Sequence, residues 1–555
     1  MSFVEFHNLN FCLNSFRHHP RAASELLTPR NLWRRENHGN HVAGPHQTYR
    51  WHPQGLCQGV PAHAVGEQAI AAIGLDSSSL PTSDAIFAAV PGTRTHGAQF
   101  AGTDNAAKAV AILTDAAGLE VLNEAGETRP IIVVDDVRAV LGAASSSIYG
   151  DPSKDFTLIG VTGTSGKTTT SYLLEKGLME AGHKVGLIGT TGTRIDGEEV
   201  PTKLTTPEAP TLQALFARMR DHGVTHVVME VSSHALSLGR VAGSHFDVAA
   251  FTNLSQDHLD FHPTMDDYFD AKALFFRADS PLVADKQVVC VDDSWGQRMA
   301  SVAADVQTVS TLGQEADFSA TDINVSDSGA QSFKINAPSN QSYQVELALP
   351  GAFNVANATL AFAAAAPWVL MATFARGMSK VAVPGRMERI DEGQDFLAVV
   401  DYAHKPAAVA AVLDTLRTQI DGRLGSGYRC WWRRDSTKRG PMGSCPHRSG
   451  SSYCTDANLV RVAGTIRAAV TAGAQQGASE SERPVEVLEI GDRAEAIRVL
   501  VEWAQPGDGI VVAGKGHEVG QLVAGVTHHF DDREEGRAAL TEKLNNKLPL
   551  TTEEG

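Results

Sequence analysis

The stretch Phe156-Thr-Leu-Ile-Gly-Val-Thr-Gly-Thr-Ser-Gly-Lys-Thr-Thr-Thr170 reads as a buried strand, a glycine-rich turn and the start of a helix. Glycines at 163 and 166 let the backbone N–H groups turn inward around an anion, and the helix start adds positive potential. Lys167 is placed to reach β- and γ-phosphates, and the Thr168 hydroxyl to meet Mg²⁺. The common spacing of four residues before Gly-Lys is not met, because Val161 stands where its first glycine would be. The full strand–turn–helix context still outweighs a chance glycine-rich turn.

Working outward, Val185–Ile188, Val227–Val231 and Val248–Phe251 read as further strands with helical segments between them. Short apolar runs alternating with helices predict a mostly parallel α/β sheet. Glu230 ends one of these strands, where a phosphate-binding fold places a metal-holding acid. Upstream, Ala85–Val90, Ala109–Thr114 and Pro130–Val134 suit a small α/β unit. Downstream, Phe396–Val400, Val485–Ile490 and Gly509–Ala513 open a third block near Arg386. The most apolar segment, Ala361 to Ala375, is broken by Pro367 and too short to span a bilayer, so a buried helix is expected.

With 555 residues, three domains or so are expected. Hydrophobic residues make up 43% and charged residues 20%, as in globular chains. A formal net charge of −17 argues against a nucleic-acid or anionic-membrane surface, so an anionic substrate needs a local site. The N-terminus lacks the basic start and apolar core of a secretory signal, and the six cysteines form no CxxC pair, which suits reduced thiols in the cytoplasm.

The ordered motifs that follow the glycine-rich turn narrow the reading. They are Leu204-Thr-Thr-Pro207, Met229-Glu-Val-Ser-Ser-His234, Phe251-Thr-Asn-Leu-Ser-Gln-Asp-His258, Ala271-Lys272, Leu349-Pro-Gly-Ala-Phe-Asn354, Val383-Pro-Gly-Arg-Met-Glu388, Asp401-Tyr-Ala-His404 and Ala513-Gly-Lys-Gly-His-Glu518. Taken together, from about residue 74 to 540, they resemble the Mur ligases, relatives of the folylpolyglutamate synthetases. The resemblance implies an α/β, three-domain Mur ligase architecture. Residues 1–154 would form a domain binding the UDP precursor, with 1–70 irregular. Residues 155–385 would form a central P-loop ATPase domain with a parallel sheet, and 386–555 a Rossmann-like domain binding the amino acid.

The implied activity is an ADP-forming ligation of meso-diaminopimelate to the D-glutamate of UDP-MurNAc-L-Ala-D-Glu through an acyl phosphate, with ATP as co-substrate and Mg²⁺ as cofactor. A cytoplasmic monomer is expected, without nucleic acid or membrane insertion. L-Lysine in place of diaminopimelate, a folylpolyglutamate-synthetase-like ligase, a nucleotide-binding protein without turnover and a small P-loop kinase are the rival readings.

The resemblance also assigns roles. Gly163, Thr164, Ser165, Gly166, Lys167, Thr168 and Thr169 would cradle the triphosphate, with Asn354, Arg386, Asp401 and His404 around the nucleotide. Lys167, Glu230, His258 and Lys272 would be catalytic. Thr168, Glu230, His258 and a carbamylated Lys272 would hold metal. Leu75, Ser77, Thr205, Thr206, Ser232 and Arg240 would bind the UDP precursor, although Ser78 stands where the family has Arg. Arg439, Asp456, Asn458, Gly514 and Glu518 would bind the amino acid.

Two stretches depart from the pattern. The first sixty residues carry seven of the 21 histidines, and 427–454 carries Cys430, Cys445, Cys454 and a Trp pair. Zinc is one reading, but the close-paired cysteine spacing of structural sites is missing. Thr455-Asp-Ala-Asn-Leu-Val-Arg461 replaces the Asp-Asn-Pro-Arg of diaminopimelate-adding relatives, and Cys430-Trp-Trp-Arg433 replaces a small, glycine-rich strand end. Both stretches read as a locally shifted reading frame, with altered amino-acid selectivity as the rival.

Overall fold

The structure, a computed structural model, describes residues 49–50 and 69–547, apart from 82, 93, 104, 327, 431–450, 457–462, 481–484 and 524–525. Three sheets of four or more strands, with two two-stranded ones beside them, organise these residues. The first runs Ala72–Gly74, Ala85–Ala88, Ala111–Thr114, Ile131–Val133, all parallel. Its helices Ala116–Glu124 and Val137–Ile148 start where Asp115 and Asp136 accept backbone N–H groups of the first turn, which relieves donors that a helix start leaves unpaired.

The central sheet has eleven strands. Its parallel core runs Val185–Gly189, His226–Glu230, Thr157–Thr162, Val248–Phe251, Lys286–Cys290, Val306–Ser310. The first-in-sequence strand, Thr157–Thr162, lies between His226–Glu230 and Val248–Phe251. Chain direction over the sheet reverses beside it, and in such sheets ligands settle at the carboxyl ends of the strands at that reversal.

Both faces are covered, which is why these strands read as continuous apolar runs. Ile159 and Val161 join one core with Leu173, Leu174 and the helices Ala352–Ala365 and Met371–Met378. Leu158, Val227, Met229 and Phe251 join the other with Phe216, Phe269 and Phe276. An antiparallel meander, Phe318–Val325, Gln331–Ala337 and Gln341–Leu347, extends one edge. No strand was anticipated there.

The apolar segment 361–375 is not one helix. The helix Ala352–Ala365 stops just before Pro367, and a second begins at Met371, because proline brings no N–H and its ring clashes with the preceding turn.

The third sheet runs Glu388–Arg389, Leu397–Asp401, Gly509–Ala513, Leu424–Cys430, Ser451–Asp456, Glu486–Glu489, parallel except at Glu388–Arg389. Among the described residues no helix is long and apolar enough to cross a membrane.

Candidate functional site

The turn after Thr157–Thr162 is built by glycine geometry. Gly163 has φ +140° and Gly166 φ +87°. A Cβ on Gly163 would lie 1.9 Å from Thr252 Oγ1, and one on Gly166 2.3 Å from Asn357 Oδ1. The next strand's exit loop clamps this turn. Thr164 N–H donates to Asn253 O (2.9 Å), Ser165 N–H to Asn253 Oδ1 (3.0 Å) and Thr252 Oγ1 to Ser165 O (2.6 Å). Gly163→Ala therefore strains the backbone and drives a methyl into Thr252, at a cost of about 1–3 kcal/mol. We expect ATP binding to weaken at least about tenfold, read by calorimetry on folded protein.

Three lysines gather on the same turn. Lys167 Nζ donates to Gly163 O (2.9 Å) and Thr164 O (3.1 Å). Lys272 Nζ donates to the same Gly163 O (3.0 Å) and to Thr162 Oγ1 (3.3 Å), and lies over the Tyr268 ring. Lys405 Nζ donates to Thr164 O (2.9 Å) and pairs with Asp257 Oδ2 (2.8 Å). Loss of hydration, reinforced by the Lys405 charge, pushes the Lys167 ammonium down to about 8. Deeper burial, with Lys167 and Lys405 adding repulsion, holds Lys272 far below the ordinary lysine range. An ammonium buried beside other ammoniums favours the neutral amine.

Glu230, 1% exposed, ends its strand with both oxygens directed by one residue. Thr190 donates its N–H to Oε1 (2.9 Å) and its hydroxyl to Oε2 (3.0 Å). His258 sits at φ +55°, within 3.3 Å of Asp257 Oδ2. Burial keeps its ring neutral, against the opposing pull of Asp257, so a ring nitrogen lone pair is available. Beside it, His234 stacks on Phe261, and His262 accepts or donates at Ser233 Oγ (2.9 Å).

The third block closes over the turn. Arg386 Nη2 donates to Thr168 Oγ1 (3.1 Å) while its guanidinium lies over Tyr402. Asp401 is buried, its oxygens taken by Met387 N–H (2.7 Å) and Ala403 N–H (2.6 Å), so it shapes the loop that carries Arg386 and Tyr402. Burial raises its carboxyl above the usual range, against the Arg386 charge. His404, pushed down to about 3 by burial, bonds Tyr402 O (2.8 Å). Asn354 lies a layer behind, bonded to Pro350 O and Asn357 Nδ2, and Asn357 is the residue that meets Gly166.

The residues expected to bind the UDP precursor fall into two groups. Thr205 meets Thr190 Oγ1 (3.2 Å), and Thr206 donates to Glu230 O (2.9 Å) and lies 3.4 Å from Ser232 Oγ, which caps the helix Ser233–Ser237. Arg240 pairs with Glu208 (2.9 Å), whose other oxygen pairs with Arg138 (3.3 Å), so this carboxylate ties the first block to the central one. Leu75 and Ser77 stand apart, at the end of Ala72–Gly74. Their turn is tied by Asp76, whose carboxyl the Ser78 and Ser79 hydroxyls hold down to about 2.

On the amino-acid side, Gly514 N–H donates to Asp401 O (2.9 Å) and Glu518 Oε1 accepts from Tyr402 Oη (3.3 Å). The motifs assigned to nucleotide and to amino acid therefore adjoin. Asp456 ends the strand Ser451–Asp456 opposite Cys430. Arg439, Asn458 and Cys445 lie outside the described residues.

Sequence reasoning passed over Thr190, Asn253, Asp257, Asn357 and Lys405. Asn253 and Asp257 lie inside a motif already singled out, and Lys405 directly follows another. Thr190 and Asn357 carry no local signal. Among the described residues, His245, Asp247 and Asp285 also draw ligand atoms within 4.8 Å of one another. They sit at the opposite, amino-terminal ends of the central strands, where Asp247 accepts Leu158 N–H, and have no part in this cluster.

Comparison with known proteins gives a consistent picture. A model of the Mur ligase middle domain matches residues 161–365, and one of the Mur ligase glutamate ligase domain matches 385–516. The chain is 92% identical to the UDP-N-acetylmuramoyl-L-alanyl-D-glutamate–2,6-diaminopimelate ligase of Corynebacterium glutamicum, over 90% of this chain and 98% of that protein. It is 72% identical to the ligase of the same name from Corynebacterium efficiens, over 84% and 90%. A solved structure of a ligase of this name aligns over 87% of this chain and 98% of its own, at 30% identity and TM-score 0.61. The Mycobacterium tuberculosis folylpolyglutamate synthase, complexed with ADP and AMPPCP, aligns over 72% and 94% at 18% identity and TM-score 0.56, a likeness of fold alone.

Proposed function

The chain belongs to the Mur ligase family, and on that premise we propose that it is the ATP-dependent ligase that joins meso-diaminopimelate to the D-glutamate of UDP-MurNAc-L-Ala-D-Glu in peptidoglycan precursor synthesis. Its α/β fold is the three-domain architecture of that family. The observation that carries the reading is the 92% identity across 98% of a ligase so named.

The chemistry suits the cluster. A carboxylate is a poor acyl donor, so the D-glutamyl oxygen first attacks the γ-phosphorus of ATP, releasing ADP and leaving an acyl phosphate. The diaminopimelate amine then adds to the acyl carbon and loses a proton. The tetrahedral intermediate collapses to the amide as inorganic phosphate leaves. Positioning and electrostatics carry the phosphoryl step. The glycine-rich turn supplies inward N–H groups, Lys167 balances phosphate charge, and Arg386 brings a guanidinium to Thr168.

The residues present fit a divalent cation. Glu230 is pre-aimed by Thr190, Thr168 offers a hydroxyl and His258 a neutral ring. Lys272 joins them only as a carbamate, and its burial among lysines favours the neutral amine that takes up CO₂. Mg²⁺ held there would neutralise phosphate charge.

The boundaries at 154/155 and 385/386 belong to the same proposal, supported by sheets that begin and end within each segment. So does a monomer working in the cytoplasm without nucleic acid; the net charge of −17 supports only the last of these, since it disfavours a nucleic-acid surface.

Phosphate release measured with ATP, Mg²⁺, UDP-MurNAc-L-Ala-D-Glu and either meso-diaminopimelate or L-lysine tests the function. Release that requires diaminopimelate is expected. Release with lysine alone would reassign the amino acid, and release without either would remove the ligase reading.

A further inference from the structure

Lys405 has no role in the reading so far, yet its side chain leaves its own block and enters the central one. It follows Asp401-Tyr-Ala-His404 and immediately precedes the helix Pro406–Arg417, so its backbone is fixed by the third sheet. It is only 7% exposed. Its ammonium lies in the central block, on the carbonyl of Thr164 and against Asp257.

The charge arrangement shows what this position is for. Lys167 and Lys405 share the Thr164 carbonyl, and Lys167 and Lys272 share the Gly163 carbonyl. Arg386, at Thr168, adds a third cation beside Lys167 and Lys405. Facing them are Asp257 and Glu230, the latter already engaged by Thr190. Gathering like charges out of water is unfavourable unless an anion completes the set. Because Lys167 and Lys405 stand on one oxygen, a triphosphate whose β- and γ-oxygens reach Lys167 comes within reach of Lys405 as well.

We propose that Lys405 is a phosphoryl-contacting residue delivered by the C-terminal domain, which exchanges Asp257 for the γ-phosphate of ATP and follows that group onto the acyl phosphate. It forms no covalent bond. It balances negative charge while the phosphoryl group passes from the ADP oxygen to the D-glutamyl oxygen. This rests on the ligase reading above and adds to it a residue that couples closure of the C-terminal domain to the terminal phosphate.

The test uses the full chain as wild type, Lys405→Met and Lys405→Arg. Binding of Mg·ADP and Mg·AMPPNP is measured by calorimetry, alongside diaminopimelate-dependent phosphate release and thermal melting. A charge-assisted contact made only by the terminal phosphate is worth about tenfold or more in affinity. Lys405→Met should therefore weaken AMPPNP by at least about tenfold and ADP by less than about twofold, and lower kcat by on the order of 100-fold. Lys405→Arg should keep most of the AMPPNP affinity. Equal weakening for both nucleotides, or a lower melting temperature with both affinities unchanged, would overturn the proposal, since either marks a merely structural tie. The ligase reading fails separately, if wild-type phosphate release ignores the diamino acid. The difference between ADP and AMPPNP would still be readable.

Discussion

Lys272→Met is expected to lower kcat/KM for diaminopimelate-dependent phosphate release by about 10³-fold, some 4 kcal/mol of transition-state stabilisation. Lys272 is 1% exposed, its amine sealed under the glycine-rich turn on Gly163 O and Thr162 Oγ1, with the Tyr268 ring beside it. Methionine fills a similar volume beside the Tyr268 ring, and Lys167 still serves Gly163 O, so the fold and ADP binding should persist, with affinity within about threefold. What disappears is the nitrogen that a carbamate requires. The same logic makes wild-type activity dependent on dissolved CO₂. Rates measured in CO₂-stripped buffer should fall and recover on adding bicarbonate, while the Met variant should respond to neither. If the variant works at near wild-type rate, Lys272 is only a packing lysine and its place in the site is lost.

Asp532→Ala should be the most destabilising single change in the C-terminal domain. Arg493 and Asp532, 1% and 0% exposed, pair through two 2.7 Å hydrogen bonds, and the guanidinium also caps Ala513 O at 3.1 Å. These residues begin the helices Arg493–Trp503 and Asp532–Lys547 and hold both to the end of the strand Gly509–Ala513. Removing the carboxylate strands a buried guanidinium, at a cost of about 3–5 kcal/mol. Calorimetry should show the transition of this domain drop by roughly 10 °C, the others holding. An apolar pair, Arg493→Met with Asp532→Leu, should lose less, because no charge is left buried. A double variant as unstable as Asp532→Ala would refute that account.

The phosphate turn was legible because everything it needs is consecutive: a buried strand, glycines with positive φ and a helix start within fifteen residues. The strand ending at Glu230 was legible for the same reason. What the sequence hid are partners supplied by topology. Thr190 reaches Glu230 because their strands are parallel neighbours, and Asn357 reaches Gly166 from a helix packed across the sheet.

The meander from Phe318 to Leu347 escaped because its strands are partly or mostly exposed. The alternation of a half-buried strand is nonetheless there: Phe333, Ile335 and Ala337, then Tyr343, Val345 and Leu347, take the core side, while Lys334, Asn336, Gln344 and Glu346 stand between them. The amino-acid pocket is legible only in part. Gly514 and Glu518 meet the nucleotide loop, while Arg439 and Asn458, in the stretch with altered composition, lie beyond the described residues.

The crossing of Gly385 and Gly516 bears on how the protein is made. A Cβ on Gly385 would lie 2.1 Å from His517 N, and one on Gly516 2.5 Å from Gly385 O, so backbone meets backbone with no side chain between. His517 in turn reaches the carbonyl of Thr190 (3.3 Å), the residue that aims Glu230. During synthesis the glycine-rich turn leaves the ribosome long before residue 516. Until then the nascent chain has a phosphate cradle without the groups that close it. A chain stalled or truncated before this crossing would hold nucleotide loosely and have no assembled centre in which to spend it, so idle ATP consumption would wait on the synthesis of residue 516.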